Sequence, residues 1–142
     1  MFIGRYHNQN LQTPSSSCKS CTKGEYATSK SVASCSSCPT GQYHSTTAAN
    51  KYSCSFCLQG FYYVDKLTAC KRCPDGWYQH QNNAATATCK RCTVGKQFHN
   101  DYTVCKNCVS GKYQASNTQA KVLCKFCVAG REFATTTTDC KI

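Results

Sequence analysis

Cys70-Lys71-Arg72-Cys73-Pro74-Asp75-Gly76-Trp77-Tyr78 is the stretch that decides the fold, because the chain repeats its skeleton from end to end. Cys-x-x-Cys occurs at Cys18/Cys21, Cys35/Cys38, Cys54/Cys57, Cys70/Cys73, Cys89/Cys92, Cys105/Cys108 and Cys124/Cys127, and Cys140 stands where an eighth pair would begin. The first cysteines of successive pairs are 17, 19, 16, 19, 16, 19 and 16 residues apart. Beyond the first step the period is therefore a double unit of 35 residues. A fixed period outranks local signals, since each unit must bury its apolar face against its neighbours.

A glycine follows each pair, then an aromatic residue. Gly24, Gly41, Gly60, Gly76 and Gly111 precede Tyr26, Tyr43, Tyr62, Tyr78 and Tyr113, whereas Gly95 and Gly130 precede Phe98 and Phe133 one residue later. The glycine supplies a positive φ for a tight turn. The aromatic, on a short extended stretch, is placed to lie over a neighbouring disulfide. Segments of 15 residues alternate with segments of 12, or 13 in Cys21–Cys35, and none carries a sustained 3.6-residue apolar period. Strand pairs and turns are expected rather than helices. The fold class expected is small and disulfide-rich: an elongated tandem-repeat rod of short β-hairpin modules with little regular secondary structure and no large core. Its modules run 21–35, 57–70, 92–105 and 127–140 (short type) and 38–54, 73–89 and 108–124 (long type), after a partial long-type module at 1–18.

Composition points the same way. Leu, Ile, Val and Phe make up about 13 % of the 142 residues, below the roughly 20 % at which chains usually build an apolar core. That area does not offset ordering entropy of about 1–2 kcal/mol per residue. Fifteen cysteines must replace the core through disulfides or metal. Met1-Phe2-Ile3-Gly4-Arg5-Tyr6 lacks the apolar stretch of a secretory leader, and no apolar run is long enough to span a membrane. A processed segment or a piece of a longer chain is expected. No Asn-x-Ser/Thr sequon occurs, while hydroxyls cluster at Ser15–Ser17 and Thr135–Thr138, leaving O-glycosylation open.

Net charge is +11, from 17 Lys and Arg against 6 Asp and Glu. Lys19, Lys71, Arg72, Lys90, Arg91, Lys106, Lys125 and Lys141 lie within or beside the Cys-x-x-Cys steps and would form a basic stripe if every step sat equivalently along a rod. Such a stripe either keeps a core-poor chain solvated or meets an acidic glycan, an acidic protein or a membrane surface. Nucleic acid is not expected. His7, His44, His80 and His99 show no ligand spacing and are expected at the surface. Asp65, Asp101 and Asp139 are expected as turn residues.

The two ends share a register. Gly4-Arg5-Tyr6-His7 aligns with Gly41-Gln42-Tyr43-His44, so Cys18 takes the place of Cys54 and its partner would fall at Met1. Reading Cys140-Lys141-Ile142 into Met1-Phe2-Ile3-Gly4 continues the repeat with one substitution. An assembly junction at Met1, Phe2, Cys140, Lys141 and Ile142 is expected, with copies of the chain or further repeats as partners.

The pattern Cys-x-x-Cys-x-x-Gly-x-Tyr, with 12–15 residues to the next pair, resembles the ephrin-receptor-like cysteine repeats. It is also similar to the single-disulfide module of tumour-necrosis-factor-receptor-type ectodomains and to Cys-x-x-Cys-rich protist surface proteins. The resemblance implies the disulfides Cys21–Cys35, Cys38–Cys54, Cys57–Cys70, Cys73–Cys89, Cys92–Cys105, Cys108–Cys124 and Cys127–Cys140, with Cys18 unpaired. Zinc is the rival: two Cys-x-x-Cys units at this spacing suit a tetrahedral site of four thiolates. Four such sites need one cysteine more than the fifteen present, and the series has no linkers between ribbons. Redox catalysis needs a thiol activated in a βαβ setting, which the pattern lacks. The expectation is no enzyme and no cofactor, but a secreted or cell-surface structural protein forming or extending a fibre, stalk or coat. A ligand-binding or adhesive ectodomain segment and a zinc-binding basic protein are the alternatives.

Overall fold

A computed structural model describes residues 5–7, 18–28, 34–47 and 53–142, with side chains from residue 20 onward. Met1, Phe2, Ser15–Ser17 and the side chains of His7, Cys18 and Lys19 lie outside what is described. The described residues contain no helix, and no helix is long and apolar enough to cross a membrane.

Twelve short strands follow one another: β1 (Arg5–His7), β2 (Cys18–Ser20), β3 (Glu25–Tyr26), β4 (Ser36–Ser37), β5 (Gln42–Tyr43), β6 (Ser55–Phe56), β7 (Phe61–Tyr62), β8 (Lys71–Arg72), β9 (Lys96–Gln97), β10 (Lys106–Asn107), β11 (Lys112–Tyr113) and β12 (Lys125–Phe126). They form two-stranded sheets, each joining neighbours in sequence. The first strand of a hairpin follows the turn glycine, and the two middle residues of the next Cys-x-x-Cys form its return strand. Tyr26 faces Ser36, Tyr43 faces Ser55, and Tyr113 faces Lys125 in antiparallel register. Isolated bridges put Tyr78 opposite Lys90 and Glu132 opposite Lys141 at the same two positions. The backbone of β1 and β2 repeats the register, with Tyr6 opposite Lys19.

Seven disulfides close these hairpins: Cys21–Cys35, Cys38–Cys54, Cys57–Cys70, Cys73–Cys89, Cys92–Cys105, Cys108–Cys124 and Cys127–Cys140. In the chain-entropy view, loops of this size each contribute about 3 kcal/mol. They stand in for a core. Most buried apolar side chains are cysteines, joined by Ala27, Ala87 and Val122.

The chain divides into two compact units. One comprises Met1–Cys57, Tyr63–Lys71 and Asn83–Ala87, and the other Leu58–Tyr62, Arg72–Asn82 and Thr88–Ile142. Within the first, the Gly24 amide donates to the His44 carbonyl at 2.8 Å, and the His44 amide donates to the Lys66 carbonyl at 3.0 Å. The Tyr63 amide donates to the Ala87 carbonyl at 2.8 Å.

Within the second, the same bonds recur one double unit on. The Gly60 and Gly95 amides donate to the Gln79 and Gln114 carbonyls, both at 2.7 Å. The Gln79 and Gln114 amides donate in turn to the carbonyls of Asp101 and Thr136, both at 2.9 Å, and Phe98 donates to Val122 at 2.8 Å. Hairpins too short to satisfy their own backbone groups thus satisfy one another's. The one apolar cluster among the described residues is Cys92, Cys105 and Val122, with Tyr78 and Phe98 packed against it.

Candidate functional site

The turns come first, because they aim the strands. In each described module the residue after the glycine donates its amide back to the residue after the cysteine, as Gln42 does to Pro39 at 3.0 Å and Trp77 to Pro74 at 3.0 Å. Gly24, Gly41, Gly60, Gly76, Gly95, Gly111 and Gly130 occupy the third turn position with φ from 75 to 86°, the value a type II turn requires there. Tyr26, Tyr43, Tyr62, Tyr78, Phe98, Tyr113 and Phe133 are all half-buried.

Because the middle residues of Cys-x-x-Cys are strand residues, they alternate between the two faces of their hairpin. The first shares a face with the residue opposite it: Lys90 with Tyr78, Lys106 with Gln97, Lys125 with Tyr113 and Lys141 with Glu132. The second points the other way. There Arg72 pairs with Asp101 at 2.8 Å, and Arg91 stacks over the Trp77 ring at 4.4 Å while donating to the Thr118 carbonyl. Arg72 and Arg91 therefore lie on the hairpin face opposite to that of the first-position lysines. Lys71, Arg72, Lys90, Arg91, Lys106, Lys125 and Lys141 are all exposed. An exposed pair such as Arg72–Asp101 is worth at most about 1 kcal/mol.

Two readings of single residues need correction. His44 is buried, at 8 % exposure, not a surface residue, because its backbone bridges Gly24 and Lys66 and draws the ring inward. His80 and His99 are exposed. Asp65 does cap a turn, accepting from the Leu67 amide at 2.8 Å and the Thr68 hydroxyl at 3.1 Å. Those bonds hold its carboxyl below the usual carboxylate range, the Leu67 amide contributing most. At the equivalent places, however, stand Asn100, which accepts from the Tyr102 amide at 3.2 Å, and Thr135, which accepts from the Thr137 amide at 3.3 Å. Asp101 instead meets Arg72. Asp65, Asn100 and Thr135 each stand five residues before their closing cysteine, whereas Asp101 stands four before it and Asp139 one, so the acids do not share one place in the turn.

Sequence reasoning missed the residue three places after the glycine in the long-type modules. Gln79 and Gln114 are buried, at 3 and 4 % exposure. The Gln79 carboxamide donates to the carbonyls of Phe61 at 3.0 Å and Leu58 at 3.3 Å, and accepts from the Gln81 amide. Gln114 donates to the Lys96 carbonyl at 3.0 Å and accepts from the Ser116 amide at 2.7 Å. Each glutamine reaches one module back while bracing its own loop. His44 occupies this position in the 38–54 module, and neither ring nitrogen has a partner among the described residues. A polar residue recurring at one offset, His44, Gln79 and Gln114, was the available signal.

Fourteen sulfurs are bound to one another, so they are not thiolates free to bind zinc, and no three His, Cys, Asp or Glu side chains gather as a metal-binding group among the described residues. What the fold and surface define is a small disulfide-rich repeat protein of stacked β-hairpins, with chemistry that belongs to an oxidising compartment. No protein-family model matches the chain, and no curated protein matches it.

Proposed function

We propose that this is an extracellular structural repeat protein, a subunit or segment of a fibre, stalk or surface coat, joined to copies of itself or to further repeats. The observation that carries the reading is the backbone ladder through Gly60, Gln79 and Asp101 and again through Gly95, Gln114 and Thr136. It binds neighbouring hairpins by groups every residue possesses, so stability grows as a sum of local terms along an array. The likeness to ephrin-receptor-like and tumour-necrosis-factor-receptor-type repeats agrees with a stalk or ectodomain role.

The disulfides add a mechanical argument. Tension passes across each closed loop through a Cα–Cα span of 5.6–5.8 Å, then through the three Cα steps of Cys-x-x-Cys, about 11 Å at full stretch. A reduced unit of 16 or 19 residues would extend to about 55–65 Å. An oxidised array therefore resists extension even after its hydrogen bonds break.

Negative-stain microscopy and sedimentation of purified oxidised protein test the assembly. Fibres or concentration-dependent polymers are expected; monomer at every concentration, with no fibres, would sink it. Leu123, Phe126 and Val128, each at least 60 % exposed, favour a second reading, an adhesive ectodomain segment. A full-length sequence bearing a membrane anchor would favour that one.

A further inference from the structure

The short-type modules offer one scaffold with different side chains, and one of them carries a cleft that the structural reading leaves without a role. It is an open depression of about 770 Å³ on the Cys92–Cys105 module, lined by Lys96, His99, Thr103, Val104, Lys106 and Asn107 together with Cys105. Lys96 shares one face of the β9–β10 hairpin with Asn107 and Lys106 the other with Gln97, and both lysines border the depression. Lys96, His99, Lys106 and Asn107 are exposed. No carboxylate lines the cleft. The ion pairs among the described residues, Arg72–Asp101 and Lys121–Asp75, lie elsewhere. We propose that this cleft binds the anionic groups of an acidic polysaccharide.

The sister modules act as internal controls. Where this module has Lys96, the others have Glu25, Phe61 and Arg131; where it has His99, they have Thr28, Val64 and Ala134. Lys106 corresponds to Ser36, Lys71 and Lys141, and Lys141 stands opposite Glu132. The hairpin does not require basic residues at these positions, and only the 92–105 module brings all three together. The open shape suits one stretch of a polymer rather than an enclosed small molecule. Lysine ammonium groups act as point charges for spaced sulfates or carboxylates. No Tyr, Phe or Trp lines the cleft, so it lacks the stacking platform on which single-stranded nucleic acid binds.

The test compares the native protein, Lys96→Gln/Lys106→Gln, and a control, Lys23→Gln/Lys71→Gln, on immobilised heparin over a salt series. Both variants lose the same formal charge, and mass after alkylation checks that each keeps its disulfides. The cleft variant should bind about tenfold more weakly at about 0.15 M salt, and its log K against log salt slope should fall by about 2. The control should change less than about twofold. Equal losses in both variants would reduce the effect to net charge and overturn the site. So would absence of native binding at that salt, or binding to single-stranded DNA as tight as to heparin.

Discussion

Gly41 and Gly130 turn the chain in the same way and live in different surroundings. Each sits third in its turn, closed by amide-to-carbonyl bonds of 3.0 Å (Gln42 to Pro39) and 3.1 Å (Arg131 to Val128), with φ of 78 and 84°. A Cβ built on Gly41 would collide with the Ala85 carbonyl group, whereas nothing lies within 4 Å of one on Gly130. Ala85 belongs to the 73–89 module, the second one after Gly41's own. The turn's conformation is set inside a module, and its cover is supplied by another. One glycine answers to both demands, the other to one.

Alanine at the two positions separates those demands and should give the largest effect. Gly130→Ala meets only the left-handed backbone, a cost of about 1–2 kcal/mol. Gly41→Ala adds overpacking against a backbone carbonyl, a further 1–3 kcal/mol or so, for a total of about 2–5 kcal/mol. Urea unfolding of the oxidised variants, with exchange of the Gln42 and Arg131 amides, reads both. Equal losses would mean that the Ala85 backbone moves aside freely and that the covering contact carries no energy.

Next in size is the side chain that holds the modules together from within. Gln79→Ala leaves the Phe61 carbonyl and the Gln81 amide without their partner in a part-buried place, at about 2 kcal/mol. Exposed Gln81→Ala should stay within about 0.5 kcal/mol. Faster exchange confined to the Gln81 amide, with no change at the Gly60 amide, would show that the carboxamide braces only its own loop.

The hairpin fold was legible because its causes are local. Fifteen cysteines at a fixed period, glycine at a fixed offset from each pair and no 3.6-residue stripe leave little but stapled hairpins. The contacts between modules were not legible, for a physical reason. Gly24 to His44 and Gly60 to Gln79 are backbone bonds, and a carbonyl leaves no mark in the sequence. Side-chain marks exist but point elsewhere on a first reading. Treating Lys90-Arg91 as one basic step merges two residues that a strand sends to opposite faces, although Tyr78 and Lys90 face each other in register. The basic cleft is hidden similarly, since Lys96, His99 and Lys106 come to border one depression only once the hairpin has closed.

His44 lets the comparison be sharpened in the stabilising direction. It holds the glutamine position of the other long-type modules with the same backbone bonds, but its ring is unpartnered among the described residues. His44→Gln places a carboxamide where it can reach back to the 21–35 module, as Gln114 reaches Lys96. A gain of about 1 kcal/mol is expected. It should appear in urea unfolding and as slower exchange of the Gly24 amide. A loss of stability would mean that the space around His44 is shaped for the ring.

The smallest effect belongs to the loops that do the covering, and it depends on pH. Gly24 is covered by Lys66 and Leu67, in the turn capped by Asp65; Gly95 is covered by Thr136 and Thr137, in the turn capped by Thr135. The Asp65 carboxyl is held below its ordinary value by the Leu67 amide and the Thr68 hydroxyl. A depressed folded-state pKa contributes stability above the unfolded value, about 3.9, and loses it as pH falls through the folded value. Between about pH 5 and about pH 2, corrected for intrinsic rates, the Leu67 and Gly24 amides should therefore lose protection. The Thr137 and Gly95 amides, whose cap cannot titrate, should keep theirs. Asp65→Asn, which retains an acceptor as Asn100 does naturally, should abolish the difference. Parallel loss in both turns would trace the pH effect to the chain's overall positive charge rather than to the cap.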